Sequence, residues 1–431
     1  MELGIVIFLF LVVFFLSGLP IFFALGMTVA ASLIVWGQVP VTVLFQQTMQ
    51  GIDIFSLLAI PMFILMGEIM TKTQVVDDIL FICNVLVGRI RGALGHVNIV
   101  ASMFFAGISG SALADTATLG AVLIPAMKKS GYDAEFSVAV TAASSVIGPI
   151  IPPSIGFVLY GALISGVSIS GLFAGGILPG ILLGVSLMIV TAVLSHKRKY
   201  PVAVFTFTRR EFYRTLLHAA PALFLPVIVL GGILGGVFTP TESAAVAVVY
   251  TILLGFFYYR NFTVRDLVTC VHRSMLTSAA VLVIIAMVQP FGWLVALGQV
   301  PQTLSGFVLS LSQDRMLIMA VLTVILLMLG AVMDANIIVL VFAPIFVPIA
   351  MNLGVDPIHF GVFYVLAAIV GLATPPYGMC IFVAAAIGDV PVSRAMKAIL
   401  PFVLAEIVVV FMVAFIPGIT LFIPRLLGMV Q

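Results

Sequence analysis

Apolar positions along this chain come in long blocks. They occupy 3 to 36, 52 to 71, 93 to 127, 135 to 165 and 168 to 195, and after a polar stretch, "SHKRKYPVAVFTFTRREFYR" at 195 to 214, they resume at 216 to 237, 240 to 259, 274 to 297, 316 to 350, 357 to 387 and 398 to 423. Runs of 18 or more apolar residues are long enough to cross a hydrocarbon core of about 30 Å as helices. Two segments depart from the pattern: an amphipathic stretch near 74 to 90, and basic "RNFTVRDLVTCVHR" at 260 to 273, which separates two spans. The pattern predicts an all-α polytopic membrane protein.

Charge changes this picture by giving the blocks a direction. The linker carries Lys197, Arg198, Lys199, Arg209, Arg210 and Arg214, which places it in the cytoplasm. The block at 93 to 127 has Arg89 and Arg91 before it and Lys128 and Lys129 after it. Both ends therefore face the cytoplasm, and the block enters and returns as a re-entrant hairpin with "SGSALADT" at its tip. Threading forward, 316 to 350 has both ends outside and forms a second hairpin from the opposite face, with "GAVMDAN" at 330 to 336 as its tip. Only Arg315 and Arg425 of the 18 basic residues then lie outside.

Sliding the chain against itself, without a gap, until Gly107 falls on Gly330 also pairs Pro125 with Pro348, Gly131 with Gly354, Asp133 with Asp356, Gly148 with Gly371, Pro152 with Pro375 and Pro153 with Pro376. The two hairpins enter from opposite faces, so the repeats are related by a pseudo-two-fold axis in the membrane plane, as in many secondary transporters. Each repeat reads as hairpin, short loop and discontinuous helix, broken at "GPIIPPSIG" and "GLATPPYG". Backbone freed at membrane depth is tolerated only where it is buried in protein or lines a water-filled cavity. The breaks are thus the expected site.

Composition narrows the function classes. Of 431 residues 63% are hydrophobic and 8% charged, against about 25% charged for a soluble domain. Cys83, Cys270 and Cys380 show neither metal spacing nor a disulfide framework, and the five histidines are scattered. There is no Walker A motif for ATP hydrolysis. An intramembrane enzyme would need a Ser/His, Cys/His or metal cluster at depth, which the pattern does not supply. The N-terminal segment lacks a basic n-region and a cleavage pattern and is expected to be a retained first helix.

Asp115 and Asp334 fall at the two tips near the midplane, where a carboxylate is a functional candidate because of what its burial costs; each is also a candidate helix N-cap. Ser109, Gly110, Ser111 and Asn336 add hydroxyl, amide and bare carbonyl oxygens, the donors a hard cation such as sodium prefers. No Lys or Arg occupies either tip or break. An anionic substrate would have to be held by half-helix N-termini and by the charge of a bound cation. Elsewhere, Thr239, Pro240 and Glu242 spell a capping box, Glu68 has Lys72 one turn on, and Glu406 stands alone in the last span. A channel or a proton-coupled carrier using Asp115 and Asp334 are the competing readings.

The stretches at 107 to 155, 231 to 250 ("GGILGGVFTPTESAAVAVVY") and 354 to 378 resemble the large membrane subunit of tripartite ATP-independent periplasmic (TRAP) transporters, the DctM-like subunit, and the resemblance covers nearly the whole chain. It implies an inverted-repeat, elevator-type transporter driving sodium-coupled import of an organic anion, usually a carboxylate such as a C4-dicarboxylate, sialic acid or sugar acid, in a bacterial or archaeal inner membrane. It implies two partners, a small four-helix membrane subunit, here a separate chain, and a periplasmic substrate-binding protein. The expected organisation is N-terminal scaffold helices at 1 to 92, a first repeat core at 93 to 195, a linker at 196 to 215, second scaffold helices at 216 to 297 and a second repeat core at 298 to 431. By the same resemblance one sodium site involves Ser109, Gly110, Ser111, Asp115, Ser145, Gly148 and Ile151, and another Gly330, Asp334, Asn336, Gly371, Thr374 and Pro375. Substrate would lie between them, near Ser111, Thr116, Pro152, Ser154, Asn336, Pro376 and Tyr377.

Overall fold

The computed structural model describes residues 3–73, 75–201, 208–311 and 314–430. Among these, twenty α-helices and no strand are found, and seven helices are long and apolar enough to cross a membrane. Residues 202–207 of the linker lie outside the described residues.

The first half contains α1 (Leu3–Leu16), α2 (Ile21–Trp36), α3 (Thr42–Ile52), α4 (Ala59–Lys72), α5 (Val75–Val87), the hairpin α6 (Ala93–Ser109) and α7 (Ala112–Lys129), the broken helix α8 (Ala134–Ser145) and α9 (Ile155–Leu163), and α10 (Ile169–Lys197). The second contains α11 (Arg209–Leu234), α12 (Pro240–Leu253), α13 (Val264–Leu297), α14 (Val300–Leu311), the hairpin α15 (Arg315–Gly330) and α16 (Ala335–Asn352), the broken helix α17 (Pro357–Val370) and α18 (Met379–Gly388), then α19 (Val392–Phe415) and α20 (Pro417–Leu426). In the repeat register that lays Gly107 on Gly330, α7 coincides end for end with α16, and α8 starts where α17 starts. Both Pro-Pro bonds in the breaks, Pro152-Pro153 and Pro375-Pro376, are cis.

Several boundaries differ from expectation, and α11 begins at Arg209, inside the stretch expected as linker. The block at 3 to 36 is two helices, because Gly18 turns the chain with φ of 75° and Pro20 precedes a fresh start at Ile21. The basic segment at 260 to 273 belongs to helix: Thr263 and Asp266 form a capping box, and α13 runs on unbroken from Val264. The block at 398 to 423 is divided at Ile416, just before Pro417 at the first position of α20. Helices α3 and α14 are short amphipathic elements that no apolar block announced.

Local chemistry explains several placements. The capping box at Thr239 and Glu242 forms as the spacing predicts, with Glu242 N–H donating to Thr239 at 3.3 Å and Thr239 N–H to Glu242 at 2.8 Å. Pro221 inside α11 cannot donate to the carbonyl of Leu217. The hydroxyl of Tyr258 fills that role at 3.1 Å, and Tyr250 donates to the Pro221 carbonyl at 2.8 Å, so α12 and the π-helical segment after it brace α11 at the proline. On the linker side, Asp133 accepts hydrogen bonds from Tyr200 at 2.6 Å and Arg198 at 2.7 Å. Those bonds, Tyr200 first, hold its carboxyl below the usual carboxylate range.

Candidate functional site

Tip one is the two-residue turn between α6 and α7. Gly110 takes a left-handed conformation, φ 61°, and a Cβ there would lie 2.9 Å from the Pro153 carbonyl, so only glycine lets the tip approach the first break. Ser111 then caps α7, accepting from Ala114 N–H at 3.4 Å. Asp115, one turn into α7, is fully buried. Its Oδ1 accepts from the Ser109 hydroxyl, and its Oδ2 has no hydrogen-bond partner. A Cβ on Gly148 would strike that oxygen and sit 3.2 Å from the Ser145 carbonyl. A carboxylate with one oxygen uncommitted, beside a hydroxyl and a carbonyl at a helix break, is a donor set that fits a small hard cation.

Tip two is built differently. Asp334 is the N-cap of α16, accepting from Asn336 N–H at 2.9 Å, which is the place Ser111 holds in tip one. Gly330 and Gly371 touch backbone to backbone; a Cβ on Gly330 would lie 2.8 Å from both Gly371 Cα and the Ala368 carbonyl. The Thr374 hydroxyl donates to the Val370 carbonyl at 2.9 Å, and Tyr377 N–H to the Ala331 carbonyl at 3.2 Å, which ties Pro375's loop to the tip.

Between the tips lies a cavity of about 330 Å³. Gly110 to Leu113, Ile155 and Gly156, and Asp334 to Ile337 line it, so the N-termini of α7, α9 and α16 all border it. No Lys or Arg does. Three helix starts together supply positive partial charge and unsatisfied N–H groups for an anion. The opposite wall is α13, through Thr277, Ala280, Val281 and Ile284.

Of the residues expected near substrate, the structure brings Ser111 and Asn336 to this cavity. Thr116 is fully buried with its hydroxyl on the Ala112 carbonyl at 2.8 Å, and Ser154 caps α9 at 3.3 Å from Phe157 N–H. Pro152, Pro376 and Tyr377 stand outside the lining. Ser145 donates its hydroxyl to the Thr141 carbonyl at 2.7 Å and its carbonyl accepts from Gly148 N–H at 3.1 Å, while Ile151 packs its side chain against Gly180. Sequence reasoning missed the α13 wall. Thr277 is one of three hydroxyl residues, with Ser274 and Ser278, at the start of an apolar span, and only packing reveals which of them faces the cavity. Glu406 is fully buried on α19 with neither carboxyl oxygen bonded, and does not line the cavity.

Comparison with known proteins places this geometry. Residues 8–419 match the family described as "Tripartite ATP-independent periplasmic transporter, DctM component". The sialic acid TRAP transporter large permease protein SiaM of Vibrio cholerae is 38% identical over 410 residues, covering 95% of this chain and 96% of that protein. The C4-dicarboxylate TRAP transporter large permease protein DctM of Rhodobacter capsulatus is 34% identical over 439 residues, covering 99% and 100%. Among solved structures, the YdaH transporter of Alcanivorax borkumensis shares the fold, with a TM-score of 0.62, 15% identity and coverage of 86% and 87%.

Proposed function

Because the chain belongs to the DctM family, the large permease subunits of TRAP transporters, we propose that it imports a small organic anion by sodium symport, through an elevator-like movement of its two hairpins and broken helices against the remaining helices. TRAP large permeases work with a small membrane subunit and a periplasmic binding protein, and they are carriers, not enzymes. In our reading the membrane is the bacterial inner membrane, and the cargo is a carboxylate of the sialic acid, sugar acid or C4-dicarboxylate kind.

The observation that carries the proposal is the cavity where three helix N-termini converge without a single basic side chain, beside a buried carboxylate with one oxygen free. The helix ends draw an anion, but Asp334 on the same wall repels it. A cation held by Asp115, Ser109 and the Ser145 carbonyl supplies the missing positive charge, so that anion and cation bind together. The same free oxygen suits a proton, which makes proton coupling the rival reading.

Movement is supported by an asymmetry between the repeats. The repeat register carries α4 into α13, α5 onto α14, α6 onto α15 and α7 onto α16. Helices α4 and α5 pack on α6, the first arm of their hairpin, whereas α13 and α14 pack on α16, the second arm of theirs. Exchanging the two interfaces generates a second arrangement of the same kind, which is what alternating access by inverted repeats requires. Tip one lies against Gly67, with Ser109 Cα 3.4 Å from where a Cβ there would be. Gly67 is near the Lys72 end of α4, and the cavity borders the middle of α13, from Thr277 to Ile284.

The test is uptake in sealed vesicles. With a binding protein and small subunit present, an inward sodium gradient should drive accumulation of the organic acid. The lone chain should move little; robust uptake without partners would refute the three-component reading.

A further inference from the structure

A second cavity, about 360 Å³, lies apart from the central one, at the seam between the moving and static helices. The static side contributes Gln47 from α3, Gln289 and Trp293 from α13 and Gln302 from α14; the moving side contributes the end of α9 and the prolines Pro344 and Pro348 of α16. Under the orientation above these are the outward ends of α9, α13 and α16, so the cavity faces the periplasm. It contains no charged residue. Instead it gathers three primary amides and one of the chain's two tryptophans.

The fold does not demand this chemistry. In the repeat register the counterparts of Gln47, Gln289, Gln302 and Trp293 are Cys270, Met66, Ile79 and Met70, all buried at 0% to 1% exposure. The cytoplasmic counterpart of the seam is apolar and packed, and only the periplasmic side carries amides around an open space.

We propose that this cavity is a capture site for a hydroxylated ring acid, occupied as the substrate leaves the binding protein and before it reaches the tips. Each carboxamide offers two N–H donors and a carbonyl acceptor. That combination matches hydroxyl groups, which both donate and accept, better than a bare dicarboxylate, which only accepts. An indole offers a broad apolar face with a polar edge, suited to the carbon-bound face of a sugar ring. The volume falls in the range of about 300 to 1,000 Å³ usual for small-molecule sites. Absence of fixed charge keeps the hold weak, as a transfer site needs. The inference rests on the organic-anion reading above and narrows it to sugar acids.

The test uses the purified full chain carrying Trp36→Phe, which leaves Trp293 as its sole tryptophan. N-acetylneuraminate should change Trp293 fluorescence saturably, and succinate should not. Gln289→Ala or Gln302→Ala, each removing one or two hydrogen bonds, should raise the half-saturating concentration about fivefold. Asp115→Asn, at the tip, should leave the response in place. A silent Trp293, an equal response to succinate, or glutamine variants that titrate like their parent overturns the proposal. Uptake by the complete transporter separates the two ideas: transport with a silent Trp293 defeats the capture site alone, and absent transport defeats the reading beneath it.

Discussion

At the first hairpin tip Asp115 is wholly buried, one oxygen bonded to Ser109 and the other free against Gly148; at the second, Asp334 caps the helix it precedes and borders the cavity. The second arms of the two hairpins, α7 and α16, match end for end, yet the acids are not counterparts. Position for position, Asp115 answers to Ile338, and Asp334 to Ser111. Where one repeat places a carboxylate against its break glycine, the other presses Gly330 directly onto Gly371. An inverted repeat therefore fixes where helices break without fixing which side chains meet there, and the carboxylate oxygen without a hydrogen-bond partner lies in the first repeat.

The largest effect that sharpens this comparison comes from the acids themselves. Asp115→Ala should lower sodium-driven uptake by on the order of 100-fold, the scale of removing one member of a buried charged pair. Asp334→Ala should cost about 1 kcal/mol of stability, the worth of an N-cap, and Asp334→Asn should recover it. Vesicle uptake together with thermal unfolding of each variant reads both effects. Equal losses of sodium dependence at the two positions would break the comparison.

A middle-sized effect separates the two break glycines. Gly148→Ala places a methyl group against the free oxygen of Asp115, so the protein should fold while its half-saturating sodium concentration rises about tenfold. Gly371→Ala meets the backbone of Gly330, which cannot yield as a side chain can, so this variant should be lost at the folding stage. Size-exclusion profiles and sodium titrations distinguish these outcomes, and the reverse pattern would contradict the assignment.

The smallest effect concerns Asp133 and its counterpart Asp356. Asp356 caps α17, accepting from Ile358 and His359 N–H at 2.9 and 3.0 Å, whereas Asp133 is bound by Tyr200 and Arg198. Its folded-state carboxyl titrates below the unfolded value of about 3.9. The stabilisation is therefore complete above about pH 4 and is lost as pH falls through the folded value. Since the side chain is 51% exposed, it contributes only about 0.5 kcal/mol. Unfolding midpoints measured from pH 6 down to pH 3 should fall slightly more for wild type than for Asp133→Asn.

Much of this was legible beforehand because glycine and proline punctuate membrane helices for backbone reasons that sequence displays. Both breaks follow from that punctuation and the hairpins from the basic residues that flank them, and the repeat register applied to α5, 75–87, lands on 298–310, where α14 is found. The inequivalence of the two acids was also readable, since that register pairs Asp115 with an isoleucine. What the sequence conceals depends on packing. Continuity of α13 through a basic stretch rests on a cap at Thr263 and on α4 lying alongside, where the Cys270 thiol donates to the Glu68 carbonyl at 3.5 Å. Thr277 lines the cavity only because the hairpins dock opposite it, and Thr116 misses the cavity because its helix turns it inward.

The most direct test of the central claim is uptake by the complete transporter in vesicles, with sodium and pH gradients imposed independently on wild type and Asp115→Asn. Sodium at Asp115 predicts a wild type driven by sodium at any fixed pH, with the asparagine variant retaining partial uptake at a raised sodium requirement, since it keeps one oxygen and the shape of the site. By reciprocity of linkage, its substrate affinity should fall by the same factor. A wild type driven by a pH gradient and indifferent to sodium, with Asp115→Asn inactive, would contradict the account and establish the carboxylate as a proton carrier.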